Sequence, residues 1–308
     1  MRALVVGAAG FAGRHLVAHL LEQDDEVLAA VNATVPSVPG VRNLSLDVTD
    51  RVAVQDVLRD VRPEVVYHLA AISFVPDAEK DFFAALSVNV AGTANILSAI
   101  RLLESPPSVV YVSSAEVYGR VFPDELPVVE TNVLRPANNY SLSKRMAELV
   151  VERHAREGLR CSIARPFNHI GPGQDSRFVA SNFALQLAKV AKGRAEPVLQ
   201  VGNLDARRDF SDVRDIVRAY RLMAGGPTGI FNLGSGKSLS IRQILQQLIA
   251  ISGCAVEIRN DPARMRGPEV AELFGSIDKA AGTLGWEPAI PLTNSLEDIY
   301  KYWYDSLG

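Results

Sequence analysis

Two residues in the stretch YSLSK (140–144), Tyr140 and Lys144, stand four apart, so a helix there puts both side chains on one face. A phenol in water titrates near pH 10, too high for ready proton exchange at neutrality, and an adjacent ammonium favours its ionised form. A drop of two to three pH units corresponds to about 3 to 4 kcal/mol of differential stabilisation, which makes such a tyrosine a useful general acid or base. A third group, Ser114, closes the apolar run SVVYV (108–112) and opens the way into SSAEVYG (113–119). A hydroxyl at a strand end can hydrogen-bond a reacting carbonyl oxygen and hold it beside a phenol. The same stretch offers a carboxylate, Glu116, and a competing phenol, Tyr118, and between Ser114 and Glu116 sits the inert Ala115. A tyrosine–lysine pair at this spacing also occurs on ordinary surface helices, so its weight comes from sharing a rim with Ser114.

A cofactor site is written at the other end of the chain. GAAGFAG (7–13) sets Gly7, Gly10 and Gly13 between the apolar run ALVVG and the helical pattern FAGRHLVAHLLEQ. Glycines there permit the tight turn and let backbone N–H groups at a helix N-terminus reach a pyrophosphate, which points to a dinucleotide. Ala9, Phe11 and Ala12 belong to the same turn. Asp47, in LDVTD, ends a later strand where its carboxylate can accept from an adenine amino group; the alternative is a helix N-cap, by Asp47 or Thr49. The second strand reads VLAAVNATV, placing Val31 and Asn32 where a ribose-gripping carboxylate would select NAD(H). NADP(H) is therefore allowed, without an arginine there to hold a 2′-phosphate, and NAD(H) stays open. An oxidised nicotinamide beside Tyr140 would favour its phenolate, as Lys144 would.

These groups need a scaffold. The first half alternates short apolar runs (EVLAAV, VRNLSLDV, EVVYHLAA, SVVYVSS, LRCSIARP) with helical patterns, which predicts a Rossmann-type α/β fold. In such a doubly wound parallel sheet ligands bind off the carboxyl ends of the strands, so Gly7, Asp47, Ala70, Ser114 and Pro166 share a rim. After Pro166 the pattern changes, predicting a smaller, interleaved substrate-binding lobe. We expect the nucleotide domain over 1–166 plus about 207–234 and the lobe over 167–206 and 235–308. The chain has 308 residues, 48% apolar and 22% charged, with a net charge of −3 and no long basic run, so nucleic-acid binding gains no support. Cys161 and Cys254 lie far apart without metal spacing, and neither a disulfide nor a metal is expected. No signal-peptide pattern and no run near the roughly 20 apolar residues of a bilayer span stand out, so a cytoplasmic protein without membrane contact is expected. GSGKS (234–238) has Phe231 where a P-loop requires glycine, and His15 and His19 in HLVAH lack the glutamate of a zinc-protease helix. His68 and His169 are expected to make structural hydrogen bonds.

GAAGFAG, HLAA (68–71), NVAGT (89–93), SSAEVYG, YSLSK and RPFN (165–168), with RRDFSDVRD, FNLGSG and LGWEP, resemble the extended short-chain dehydrogenase/reductases acting on nucleotide sugars. The resemblance covers nearly the whole chain. It implies that Ser114, Tyr140 and Lys144 are catalytic and that Tyr118 is not the proton donor. It further implies that Val48, Leu69, Ala70, Ala71, Val112, Tyr140, Lys144 and Pro166 join the cofactor site, Lys144 on the nicotinamide ribose, with Asn89 bracing a backbone kink. RPFNHIGPGQ (165–174), RRDFSDVRD (207–215) and DPARMR (261–266) resemble the branch of GDP-6-deoxy-D-mannose reductases, which convert GDP-4-keto-6-deoxy-D-mannose to GDP-D-rhamnose. That branch implies a GDP-linked substrate contacted by Ser73, Phe74, Ser114, Glu116, Asn168, Val179, Arg208, Arg266 and Glu269, the arginines suiting a diphosphate. It also implies a homodimer; the apolar stripe Leu149, Val150 and Val151 reads either as core or as a dimer seam. A 4-epimerase retaining NAD⁺ and a reductase of a dTDP- or CDP-linked 4-ketosugar are the alternatives. A dehydratase is disfavoured, because in the dehydratases the position of Ala115 carries an acid or a hydroxyl.

Overall fold

The computed structural model describes residues 1–32, 35, 37–262 and 270–308. Its first half winds β1 (Arg2–Val6), α1 (Phe11–Glu22), β2 (Glu26–Val31), β3 (Arg42–Ser45), α2 (Arg51–Val61) and β4 (Val65–His68) in turn. Next come the short helices α3 (Val75–Lys80) and α4 (Phe82–Ala85), a π-helical turn over Leu86–Ala91, α5 (Gly92–Ile100) and β5 (Ser108–Val112). A 3₁₀ turn over Ala115–Tyr118 leads through a loop to α6 (Asn139–Arg156), β6 (Cys161–Pro166), β7 (Asn168–Ile170) and α7 (Val179–Ala191). The remainder is β8 (Val198–Val201), β9 (Arg207–Arg208), β10 (Phe210–Asp212), α8 (Val213–Gly225), β11 (Ile230–Leu233), β12 (Leu239–Ser240), α9 (Ile241–Ser252), β13 (Glu257–Asn260), β14 (Glu272–Leu273), α10 (Asp278–Leu284) and α11 (Leu292–Ser306).

Seven strands form one sheet in the order β11-β6-β5-β4-β1-β2-β3, every neighbouring pair parallel. All but the edge strand β3, whose residues RNLS are exposed or half-buried, are largely buried runs, as a parallel sheet sandwiched between helices requires. One face packs α1 and α8 through Leu16, Leu20, Ile216 and Tyr220, and the other packs α2, α5 and α6 through Leu58, Ile96 and Val151. A separate core of Phe183, Leu187, Leu199, Ile244, Leu248 and Leu296 holds the lobe together. Because all seven strands run the same way, their carboxyl ends share one edge.

The fold differs from the sequence reading at four places. No helix lies between β2 and β3 among the described residues, although the strands are parallel. The boundary at 207 shifts: β9 pairs with β12 and β14 and β10 with β7, so 207–212 belong to the lobe. Only α8 and β11 return to the main sheet. Conversely α10 and Trp286, assigned to the lobe, sit in the first sheet core, where the indole Nε1 donates to Asp215 O at 2.8 Å. Finally, Phe82–Ile100 is a helical run of 19 residues with mean hydropathy 1.5, apolar and long enough by composition for a bilayer span. Its Ile96, Leu97 and Ile100 are spent on the sheet core, and it carries the buried polar residues Asn89 and Thr93.

Candidate active site

Along the carboxyl edge runs a cavity of about 600 Å³, within the range of small-molecule sites. Its floor is the glycine turn between β1 and α1. Gly7 adopts φ +89°, and a Cβ there would stand 2.6 Å from Ala70 N. At Gly13 a Cβ would meet Gly7 O at 2.3 Å, so the helix starts as close to the strand as backbone alone permits. The N-cap of α1 is Gly10, without a side-chain cap and with no acidic residue in the first turn. Its leading N–H groups and the positive end of the helix dipole thus face the cavity, an environment that suits a pyrophosphate.

Ala9, Phe11, Ala12, Asn32, Asp47, Val48, Leu69, Ala70, Ala71, Val112 and Pro166 all line this cavity, as expected. Asp47 is not a helix cap. It accepts from Thr49 N at 2.8 Å and Thr49 Oγ1 at 2.7 Å, contacts that hold its carboxyl below the usual range, while Asp50 caps α2 through Val52 N and Ala53 N. Asn89 is the exception among the cofactor residues. It is buried behind the wall in the π-helical turn, accepting from Ile72 N at 2.8 Å and donating to Ile72 O at 3.2 Å and Ser143 Oγ at 2.9 Å. It braces the backbone there and does not line the cavity.

The three residues expected to react, Ser114, Tyr140 and Lys144, converge on the same edge. Ser114 ends β5 in an extended conformation and accepts from Glu116 N at 3.2 Å, which starts the 3₁₀ turn. Tyr140 lies in the first turn of α6, which Asn138 caps by accepting from Ser141 N at 2.8 Å. One turn later Lys144 donates Nζ to Val112 O at 2.5 Å and lies over the Tyr111 ring, 4.5 Å from its centroid. Burial pushes the Tyr140 phenol up to about 12; a hydrogen bond with Ser114 pulls against this and the Glu116 charge adds to it. This reverses the expected lowering by Lys144. Burial brings the lysine itself down to about 7, with Glu148 opposing, and its ammonium is spent on Val112 O. The protein alone therefore holds Tyr140 protonated, the state of a proton donor.

Tyr118 is set apart from this chemistry. It is fully buried behind the wall, donates to Asn232 Oδ1 at 2.7 Å and receives Arg165 Nη1 at 3.1 Å. Ala115 lines the cavity at 3% exposure and packs in an apolar cluster with Tyr118, Val128, Phe167 and Leu273. His68, brought down to about 3 by burial and the Lys144 charge, bonds Thr93 Oγ1 at 2.9 Å, and His169 Nδ1 bonds Phe167 O at 3.0 Å. The GSG turn after β11 wraps an internal anion: the Asp209 carboxylate accepts from Ser235 N at 2.7 Å and Gly236 N at 3.0 Å.

Of the residues expected to hold substrate, Ser73, Glu116, Asn168 and Val179 line the cavity with Ser114. Phe74 does not; it stands behind the wall, edge-on to the cavity residue Phe178 at 5.6 Å. Arg208 is also off the wall, on β9, with Nη1 donating to Arg207 O at 2.8 Å. Arg266 and Glu269 lie outside the described residues. The lobe contributes wall residues that spacing did not single out, among them His169, Gln174, Phe178 and Phe210, and α8 on the main sheet contributes Tyr220. His169 and Gln174 were at least within the RPFNHIGPGQ stretch and Phe210 within RRDFSDVRD, whereas Tyr220 carries no local signal.

A dinucleotide turn, a seven-stranded parallel sheet and a Ser–Tyr–Lys set at its carboxyl edge define an extended short-chain dehydrogenase/reductase. Residues 4–299 match the family model described as GDP-mannose 4,6 dehydratase, and the chain belongs to that family. It is 37% identical to the GDP-6-deoxy-D-mannose reductase of Pseudomonas aeruginosa over 98% of this chain and 97% of that protein. It is 31% identical to the GDP-6-deoxy-D-talose 4-dehydrogenase of Aggregatibacter actinomycetemcomitans, again over 98% and 97%. The solved structure of RMD from Pseudomonas aeruginosa complexed with NADPH superposes with a TM-score of 0.89 at 33% identity, covering 99% of this chain and 100% of that one.

Proposed function

We propose that this protein reduces the 4-keto group of a GDP-linked 4-keto-6-deoxyhexose, converting GDP-4-keto-6-deoxy-D-mannose to GDP-D-rhamnose. The observation that carries this reading is the Ser114–Tyr140–Lys144 set beside an inert, apolar-packed Ala115, in a chain similar throughout to a GDP-6-deoxy-D-mannose reductase. A reduced nicotinamide cofactor, when bound along the glycine turn, supplies the hydride. The Ser114 hydroxyl orients the substrate carbonyl oxygen, and Tyr140, held protonated by burial, gives its proton to that oxygen as negative charge develops. Lys144, fixed by Val112 O, supplies positive charge that favours the phenolate left behind. Elimination of water needs a further acid or base next to Ser114, and Ala115 offers neither.

NADPH is the proposed cofactor, because the end of β2 presents Asn32 and no carboxylate to repel a 2′-phosphate. A homodimer is proposed through α6, where Leu142, Met146 and Leu149 form an exposed apolar stripe, 41%, 37% and 48% exposed, on the face away from Val151. The test mixes purified protein with GDP-4-keto-6-deoxy-D-mannose and NADPH or NADH, following cofactor absorbance and identifying the sugar. Stoichiometric oxidation with GDP-D-rhamnose as product is expected. No oxidation, or NAD⁺ retained in equal amount through purification, overturns the reading in favour of an epimerase.

A further inference from the structure

Behind the catalytic wall lies a polar cluster that the reaction as described does not use. Glu148 and Arg165 are 0% and 1% exposed, among the least exposed charged groups described. Glu148 Oε1 accepts from Ser113 Oγ at 2.6 Å and Arg165 Nε at 2.9 Å. Its Oε2 accepts from Arg165 Nη2 at 2.9 Å and Arg145 Nη1 at 3.0 Å. The remaining guanidinium nitrogen, Nη1, donates to Tyr118 Oη and Glu130 O, each at 3.1 Å. Tyr118 continues to Asn232 Oδ1 at 2.7 Å, and Asn232 Nδ2 to Val128 O at 3.0 Å.

This chain of bonds ties four elements to one another. Ser113 precedes Ser114 at the end of β5, Glu148 stands one turn beyond Lys144 on α6, Arg165 precedes Pro166 at the end of β6, and Asn232 lies on β11. A buried ion pair is weak evidence for stability, since well-packed apolar groups of similar volume often serve as well or better. Of the four hydrogen bonds to this carboxylate, however, the one from Ser113 ties the end of β5 to α6 and the two from Arg165 tie β6 to the same helix. A misplacement of about 1 Å at the reacting groups can cost about 100-fold in rate.

We propose that the Glu148–Arg165 pair is the positioning device of the site, holding Ser114 to Lys144 and Tyr140 through Ser113. The proposal rests on the reductase reading for its kinetic consequence, though not for the charge on Lys144. The groups facing that ammonium are Glu148 on α6, Tyr111 on β5 and His68 on β4. Glu148 is the one carboxylate among them, and its charge raises the lysine's affinity for a proton against the effect of burial. Arg165 keeps Glu148 in place through Nε and Nη2.

The experiment follows Lys144 by NMR in lysine-labelled full-length protein as pH is raised, for the wild type, Glu148→Gln and Ser113→Ala, with steady-state reduction beside it. In Glu148→Gln the Lys144 midpoint is expected to fall, with the alkaline limb of kcat moving to lower pH by the same amount. Ser113→Ala removes one hydrogen bond and leaves the ion pair in place; its kcat is expected to fall about 10-fold, with KM for the nucleotide sugar and the thermal midpoint little changed. An unchanged Lys144 titration in folded Glu148→Gln overturns the electrostatic part, and wild-type kcat in Ser113→Ala overturns the positioning part. Should Glu148→Gln fail to fold, Ser113→Ala decides alone. If the wild type does not reduce the ketosugar, the reductase reading falls while the Lys144 titration still judges this one.

Discussion

At the scale of single residues the site depends on which groups carry protons near neutrality. Tyr140 is held protonated by burial and Lys144 titrates at about 7 for the same reason. The sign follows directly: the ammonium is present below that value and lost as pH rises through it, while the phenol stays protonated throughout. We expect kcat for ketone reduction to fall as pH rises through about 7, measured by initial rates at saturating cofactor. Tyr140→Phe removes the transferable proton without changing the bulk of the wall. A loss of about 10²- to 10⁴-fold in kcat is expected, with cofactor affinity by fluorescence titration within error of the wild type. Full activity in that variant would refute the assignment. Ala115 matters for the opposite reason, since burial among Tyr118, Phe167 and Leu273 leaves no place for the additional acid of a dehydratase.

Among elements, the junction of β1 with α1 and the π-helical turn before α5 do most to shape the cavity. The first is a matter of backbone proximity. Gly13→Ala would press a methyl against Gly7 O at 2.3 Å, a backbone atom that cannot rotate away. Overpacking of this kind costs about 1 to 3 kcal/mol. A lower thermal midpoint together with much weaker NADPH binding is expected, read by thermal denaturation with and without cofactor. The second is a matter of hydrogen bonds: Asn89 satisfies Ile72 N and O and reaches Ser143 on α6. Asn89→Ala leaves those buried backbone groups unpaired, and about 1 to 3 kcal/mol of stability should be lost in denaturant titrations.

Over the whole molecule, two cores meet at the site, and sequence order does not sort residues between them. The tail crosses back: Trp286, fully buried, packs with α8 and α1 in the sheet core although it follows the lobe's strands in the chain. Trp286→Ala would open a cavity there and remove the Nε1 donor to Asp215 O. A loss of about 3 to 5 kcal/mol is expected in equilibrium unfolding. On the far side, Arg177 bridges the two parts by donating to Asp77 Oδ2 at 2.8 Å, its guanidinium 4.5 Å from the Phe74 ring. Half-exposed pairs of this kind contribute little to stability, so the buried aromatic and aliphatic layers hold the arrangement.

The sequence by itself determined the nucleotide fold and the glycine turn, and it picked out Ser114, Tyr140 and Lys144, which the structure brings to one cavity. Those depend on local rules: apolar runs of strand length, glycine spacing at a helix start, and a four-residue separation on one helix face. It also separated Tyr140 from Tyr118, though through family resemblance and not through geometry. What only the tertiary structure decided is how non-local neighbours set each group's environment. Burial raises the Tyr140 phenol where the pairing rule alone predicted a lowering, because desolvation by the surrounding wall outweighs the hydrogen bond with Ser114. Arg208 carries a fitting charge in a fitting motif yet sits off the cavity, since β9 is turned into the lobe by its pairing with β12 and β14. Gln174, Phe210 and Tyr220 reach the cavity only because β7, β10 and α8 pack together, contacts that no short window of sequence can report.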